Sequence, residues 1–112
     1  MMRLRPIPAS LMPSAMTVRV PVQGDYSGEY SPPVTVERVR FDTYEALARR
    51  DYKLMDGSQG LVYIDAATSS PAFELPAGSL VSVDGGQEMQ VVRCTRHAGY
   101  FGEVHHWEAE VR

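Results

Sequence analysis

From Met16 to Val22 the chain alternates without a fault: Met16, Val18, Val20 and Val22 fall on one side, and Thr17, Arg19 and Pro21 on the other. A period of two predicts a strand with one buried face. Pro21 has no amide to donate, which puts that end at a sheet edge or a bulge. The stretch from Val34 to Phe41 predicts the return strand. There Val34 and Val36 share one phase while Val39 and Phe41 fall on the other, and a single extra residue near Glu37-Arg38 would bring all four to one face. The pattern therefore predicts a β-bulge at that point. Between the two strands, residues 23–33 form a connection longer than a usual hairpin turn, rich in Gly, Pro, Ser and Tyr.

The polar rhythm then changes. Asp42 is placed to cap the free amide of Glu45, Glu45 to reach back, and Phe41 to pack on Ala46, so a short helix is predicted to follow. Tyr44, Leu47 and Ala48 would face inward, with Arg49 and Arg50 at the end where the helix dipole favours positive charge. Four further strands are predicted: Gly60 to Asp65, a continuous apolar run; Ser79 to Val83, ending at the hairpin signal Asp84-Gly85; Gln87 to Thr95; and Val104 to Arg112. In the third of these, Met89, Val91 and Arg93 share one face, and Val92 and Cys94 the other. In the last, His105, Trp107, Ala109 and Val111 point inward, and His106, Glu108, Glu110 and Arg112 outward. Six strands and one short helix predict a mostly β fold, a small six-stranded antiparallel barrel of Greek-key or meander type.

Residues 15–112 then make a single barrel domain, and residues 1–14 an extended, Pro-rich arm. The start, Met1-Met2-Arg3-Leu4-Arg5, has the basic character of a signal peptide, but Pro6, Pro8 and Pro13 interrupt the apolar run such a peptide needs. Proline at this spacing favours extended backbone without a hydrogen-bonded ladder, so the expectation is a disordered arm able to dock on a partner.

At 112 residues there is no room for two independent cores. A formal charge of −3 lacks the basic surface that specific DNA binding or an anionic membrane requires. One cysteine, Cys94, leaves no internal disulfide. No stretch approaches the roughly 20 apolar residues of a membrane span.

Candidate chemistry is sparse. His105 and His106 are neighbours on a strand, so they point to opposite faces and would not share an ion. His97 is expected in a turn, with no spaced carboxylate or thiol to complete a metal site. Cys94 lies mid-strand rather than at a helix start or elbow, so a buried structural role is expected, not that of a nucleophile. Asp65, Glu74 and Asp84 show no acid–base spacing, and Asp56-Gly-Ser-Gln-Gly60 is a turn rather than a phosphate loop. No catalytic residue, metal or cofactor is predicted. The loop at 23–33 is different, because tyrosine suits an interface that is dry on one side and wet on the other. Tyr26, Tyr30, Pro32 and Pro33, with His106 on an outward face, are the candidate contact residues.

Gly60-Leu-Val-Tyr-Ile-Asp65, Phe73-Glu-Leu-Pro-Ala-Gly-Ser79 and the closing His105-His-Trp-Glu-Ala-Glu-Val-Arg112 resemble the small minor capsid proteins of tailed bacteriophages. The resemblance covers about residues 50–112 and is weaker toward the arm. It implies a structural virion protein similar to head–tail connector, or head-closure, proteins: a barrel that forms a homo-oligomeric ring beneath the portal and joins head to tail. The implied partners are other copies of the chain and the portal or adaptor and tail proteins, with DNA passing through unbound and no membrane involved. Such a protein would be assembled in the host cytoplasm and carried in the neck of the virion. A stand-alone protein-binding module using the same Tyr-rich loop is the alternative.

Overall fold

The strands are long-range partners before they are neighbours in sequence. The computed structural model describes residues 4–22, 28–50, 53–54 and 57–112. A single 3-10 turn, Ala9–Leu11, precedes β1 (Ser14–Arg19) and β2 (Val34–Thr43). The helix α1 (Tyr44–Ala48) follows, then β3 (Gly60–Asp65), β4 (Leu80–Val83), β5 (Met89–Ala98) and β6 (Val104–Val111). The order around a closed barrel is β1-β2-β3-β6-β5-β4. Every pairing is antiparallel. The chain thus makes two three-stranded meanders and crosses from one to the other between β3 and β4.

Closure comes from β1 against β4, with Met16 opposite Val83 and Val18 opposite Val81. The interior is filled by Met16, Val18, Val36, Val39, Val62, Ile64, Leu75, Val81, Met89, Val91, Ala109 and Val111, all buried, with Phe41, Cys94 and Trp107 packed on its margin. β-Branched side chains dominate because they suit a pleated surface buried on one side.

The bulge expected in β2 is present. Ser14 pairs with Val39 and Ala15 with Glu37, which leaves Arg38 unpaired at φ 59°, and both Val36 and Val39 are buried. Val34, by contrast, is exposed at the strand's start. A second bulge was not foreseen. Val91 pairs with Val111 and Arg93 with Glu110, so Val92 is the extra residue, and Cys94 then turns inward opposite Ala109. At the Asp84-Gly85 turn both residues have positive φ (51° and 71°), the geometry of a type I′ hairpin.

Four other expectations need correction. β1 ends at Arg19, and Val22 lies exposed beyond it. The helix is capped by Thr43, whose hydroxyl accepts the Ala46 amide at 3.3 Å. Asp42 is still in β2, buried, and held by Arg40 (2.9 Å) and Arg50 (2.8 Å). Of the helix residues expected inside, only Leu47 is buried, because one and a half turns present too narrow a face; Tyr44 and Ala48 are exposed. Glu110 is on the outer face as predicted yet only 1% exposed. The Ser58 hydroxyl donates to it at 2.6 Å and Arg93 pairs with it at 3.2 Å.

Gly60 opens β3 where the chain passes closest to β2: a Cβ there would run into the Asp42 carbonyl and the Phe41 ring. Gly60→Ala should lower the melting temperature by on the order of 10 °C, as overpacking against backbone cannot be relieved by a rotamer change. Gly85→Ala, which meets no atom within 4 Å, should cost only the left-handed backbone strain of about 1 kcal/mol. Equal melting temperatures for the two variants would show that the β2–β3 approach is not the constraint described.

Candidate functional site

Three features gather at one end of the barrel. β1, β3 and β5 run in the same direction, since β1 and β3 both oppose β2 and β1 and β5 both oppose β4. The chain therefore leaves β1, β3 and β5 at the same end, which carries the 20–33 connection, the Asp65 corner and the 99–103 turn.

At the corner, Asp65 is fully buried at the close of β3 and accepts three backbone amides: Ile7 (2.9 Å), Ala67 (2.9 Å) and Thr68 (2.8 Å). The Thr68 hydroxyl donates to the Ile7 carbonyl at 2.6 Å. This is a seat for the N-terminal arm. Farther along the arm, Met12 is buried and Arg40 reaches the Leu11 carbonyl at 3.4 Å. Burial alone would raise the Asp65 carboxyl, but the amides of Ile7, Thr68 and Ala67, helped by His105, hold it below its ordinary value.

Beside the seat stand the histidines. His105 Nε2 lies 2.6 Å from the Arg5 carbonyl, and its Nδ1 lies 2.8 Å from Nδ1 of His106. His97 is in β5, not in a turn, directly across from His106. Their rings stack with centroids 4.6 Å apart, 1° from parallel. Nε2 of His106 and Nε2 of His97 approach the same Glu108 carboxylate oxygen, at 2.9 Å and 3.3 Å. The carboxylate that sequence spacing did not supply is Glu108, on the outer face of β6. A register shift between His97 and Ala98 moves His97 from opposite His105 to opposite His106, and residue spacing alone gives no sign of that shift.

The Tyr-rich connection is only partly described. Tyr26 lies outside the described residues. Tyr30 bridges to Pro21 and sits under the Arg19 guanidinium, 5.4 Å from the ring centre. The Ser31 hydroxyl donates to the Val20 carbonyl at 3.1 Å, and Pro32 and Pro33 are exposed. His106 is partly buried among its ring partners. The structure adds a second aromatic projection that sequence reasoning treated only as a turn: Tyr100 and Phe101, 64% and 62% exposed between Gly99 and Gly102. Two adjacent aromatics at the tip of a hairpin were the available signal.

Cys94 is half-buried in β5, and burial pushes its thiol up, the reverse of what a nucleophile needs. No helix among the described residues is long and apolar enough to cross a membrane.

Compared with known proteins, residues 16–111 match the family model described as "Minor capsid protein". No curated protein and no solved structure matches.

The arm seat has a pH signature. Asp42 and Asp65 both titrate below their ordinary value when folded; at Asp42, burial is outweighed by Arg50 and Arg40. A depressed folded pKa gives stability that is complete above the unfolded value, about 3.9, and is lost as pH falls through the folded values. Asp65→Asn should destabilise the protein by about 1–3 kcal/mol at pH 7, because its NH2 cannot accept an amide. It should also lose less stability than wild type between pH 5 and pH 2, values on the order of those spanning the carboxylate range. Urea unfolding across that range is the measurement, and parallel losses in both proteins would show that Asp65 does not anchor the arm.

Proposed function

The chain belongs to the minor capsid protein family, a structural component of the virion, and from that premise we propose that it acts in the neck as a head–tail connector. Copies form a ring beneath the portal, with DNA passing through and tail proteins docking on the ring. The observation that carries this reading is the end of the barrel that bears two loops with aromatic residues, half-buried Tyr30 with exposed Pro32 and Pro33 in one, and exposed Tyr100 with Phe101 in the other. A closed barrel offers no edge strand for a neighbour to extend, which leaves loops, turns, the arm and the outer face for contacts between subunits. A ring needs two different patches that fit each other head to tail, and two distinct aromatic projections on one subunit supply candidates. Tyr26 and His106 belong to the same proposed contact region. A charge of −3 suits passage of DNA without a grip on it.

The test separates folding from assembly. Tyr100→Ser with Phe101→Ser should leave the melting temperature within about 2 °C of wild type, since both side chains are exposed. Replacing residues 23–33 by a Gly-Ser linker should likewise leave the barrel folded, as loop-closure entropy changes slowly with length. In phage complementation each variant should give DNA-filled heads without tails. Normal infectious particles from both would remove this end of the barrel from assembly.

A further inference from the structure

We infer that His97, His106 and Glu108 form a binding site for one divalent transition-metal ion of the zinc class, on the outer face of the β5–β6 hairpin. This inference does not rest on the role proposed above, and His106 is common to both. The first support is convergence: two imidazole nitrogens and a carboxylate oxygen, each able to offer one lone pair, lie within 4.8 Å of one another. Nε2 of His97 stands 3.3 Å from Oε2 of Glu108 and Nε2 of His106 stands 2.9 Å from it. Metal–ligand bonds of about 2.0–2.2 Å at tetrahedral angles set ligand atoms about 3.3 Å apart, so these two edges are nearly in place. The His97 and His106 rings stack 1° from parallel, so closing the third edge asks the His97 ring, whose side chain is 41% exposed, to rotate out of the stack until both lone pairs meet.

The second support is a count of protons along a chain of hydrogen bonds. The Arg5 carbonyl can only accept, so His105 Nε2, 2.6 Å away, carries hydrogen. A neutral His105 then presents a lone pair at Nδ1. His106 Nδ1, at 2.8 Å, must donate to it. A neutral His106 is thereby left with its lone pair on Nε2, the nitrogen that faces the Glu108 oxygen. In that tautomer a metal ion between the two acceptors would satisfy both. The arrangement is the one a ligating histidine uses, with its other ring nitrogen donating to a fixed partner that sets the tautomer. His97 Nε2 brings a third potential ligand atom to the same oxygen. Two imidazoles with one carboxylate suit zinc, nickel or cobalt, whereas calcium and magnesium prefer all-oxygen sites. A bound ion would also fix the chain that ends on Arg5, and so fasten the arm to the barrel.

The experiment uses untagged full-length protein, titrated calorimetrically with zinc chloride and, separately, with cobalt(II) followed by visible absorption. The expected result is one ion per chain, with a dissociation constant on the order of micromolar or tighter, and the intense visible bands of low-symmetry cobalt. His97→Ala and Glu108→Gln should each abolish saturable binding, while His105→Phe, which removes the tautomer partner together with its hydrogen bond to the Arg5 carbonyl, should weaken it about 10- to 100-fold. In wild-type protein the imidazole NMR signals of His97 and His106 should shift on zinc addition, a readout that does not depend on any variant folding. Absence of zinc binding to the wild type, unchanged binding in His97→Ala, or shifts confined to other residues would each overturn the inference.

Discussion

The pairing of β1 with β4 is the constraint on which the rest depends. It joins Met16 to Val83 and Arg19 to Leu80, and in doing so turns two separate meanders into one closed surface with a single interior. Met16, Val18 and Val81 are buried because that seam is shut. Once it is shut, the sheet has no edge strand, and the side chains divide between one interior and the exterior that a partner can meet. The aromatic residues follow that division: Trp107 and Phe41 pack on the interior, while Tyr100 and Phe101 project from a turn.

The outer face is organised by carboxylates that have been covered but not left alone. Asp42 is held by Arg40 and Arg50, Asp65 by the amides of the arm and the corner, and Glu110 by Ser58 and Arg93. Each costs desolvation and offsets it with charge-assisted hydrogen bonds. Together they fasten the irregular segments onto the strands. The exception is the Trp107 indole N–H, buried with no hydrogen-bond partner among the described residues. The side chain packs against the core, and the N–H without a partner among the described residues lowers the net gain from burying it.

Period-two alternation made the strands and their inward faces legible, and the mismatch between Val36 and Val39 disclosed the Arg38 bulge. The Val92 bulge stayed hidden because Val91 and Val92 are both apolar, so either phase of β5 satisfies the pattern. The helix cap was misplaced by one residue for a similar reason. Asp42 and Thr43 can both cap, and the choice was made by Arg40 and Arg50, one of them eight residues away. Glu110 looked solvated because nothing in its own strand reveals that Ser58 will cover it. The histidine cluster was illegible for the deepest reason: it depends on cross-strand register, and a one-residue shift near Ala98 decides which histidine His97 meets. The resemblance carried by the Gly60, Phe73 and His105 stretches led to the family that residues 16–111 match, while the place in the neck rests on the reading proposed above.

The crossover from β3 to β4 also sets how the chain must find its shape. Within each meander the strands are joined by local connections, but Gly60 pairs with Val111 and Met16 with Val83, and these contacts span much of the chain. Non-local pairing of this kind demands loop closure before it returns any stabilisation, which places such barrels among the slower folders, in milliseconds to seconds. Until β6 has docked on β3, the first meander has an open edge made of Leu61, Val62 and Ile64, a segment well suited to pairing with a second unfinished chain. That hazard grows with the concentration of unfinished chains, so the pace of synthesis and the yield of finished barrels are coupled.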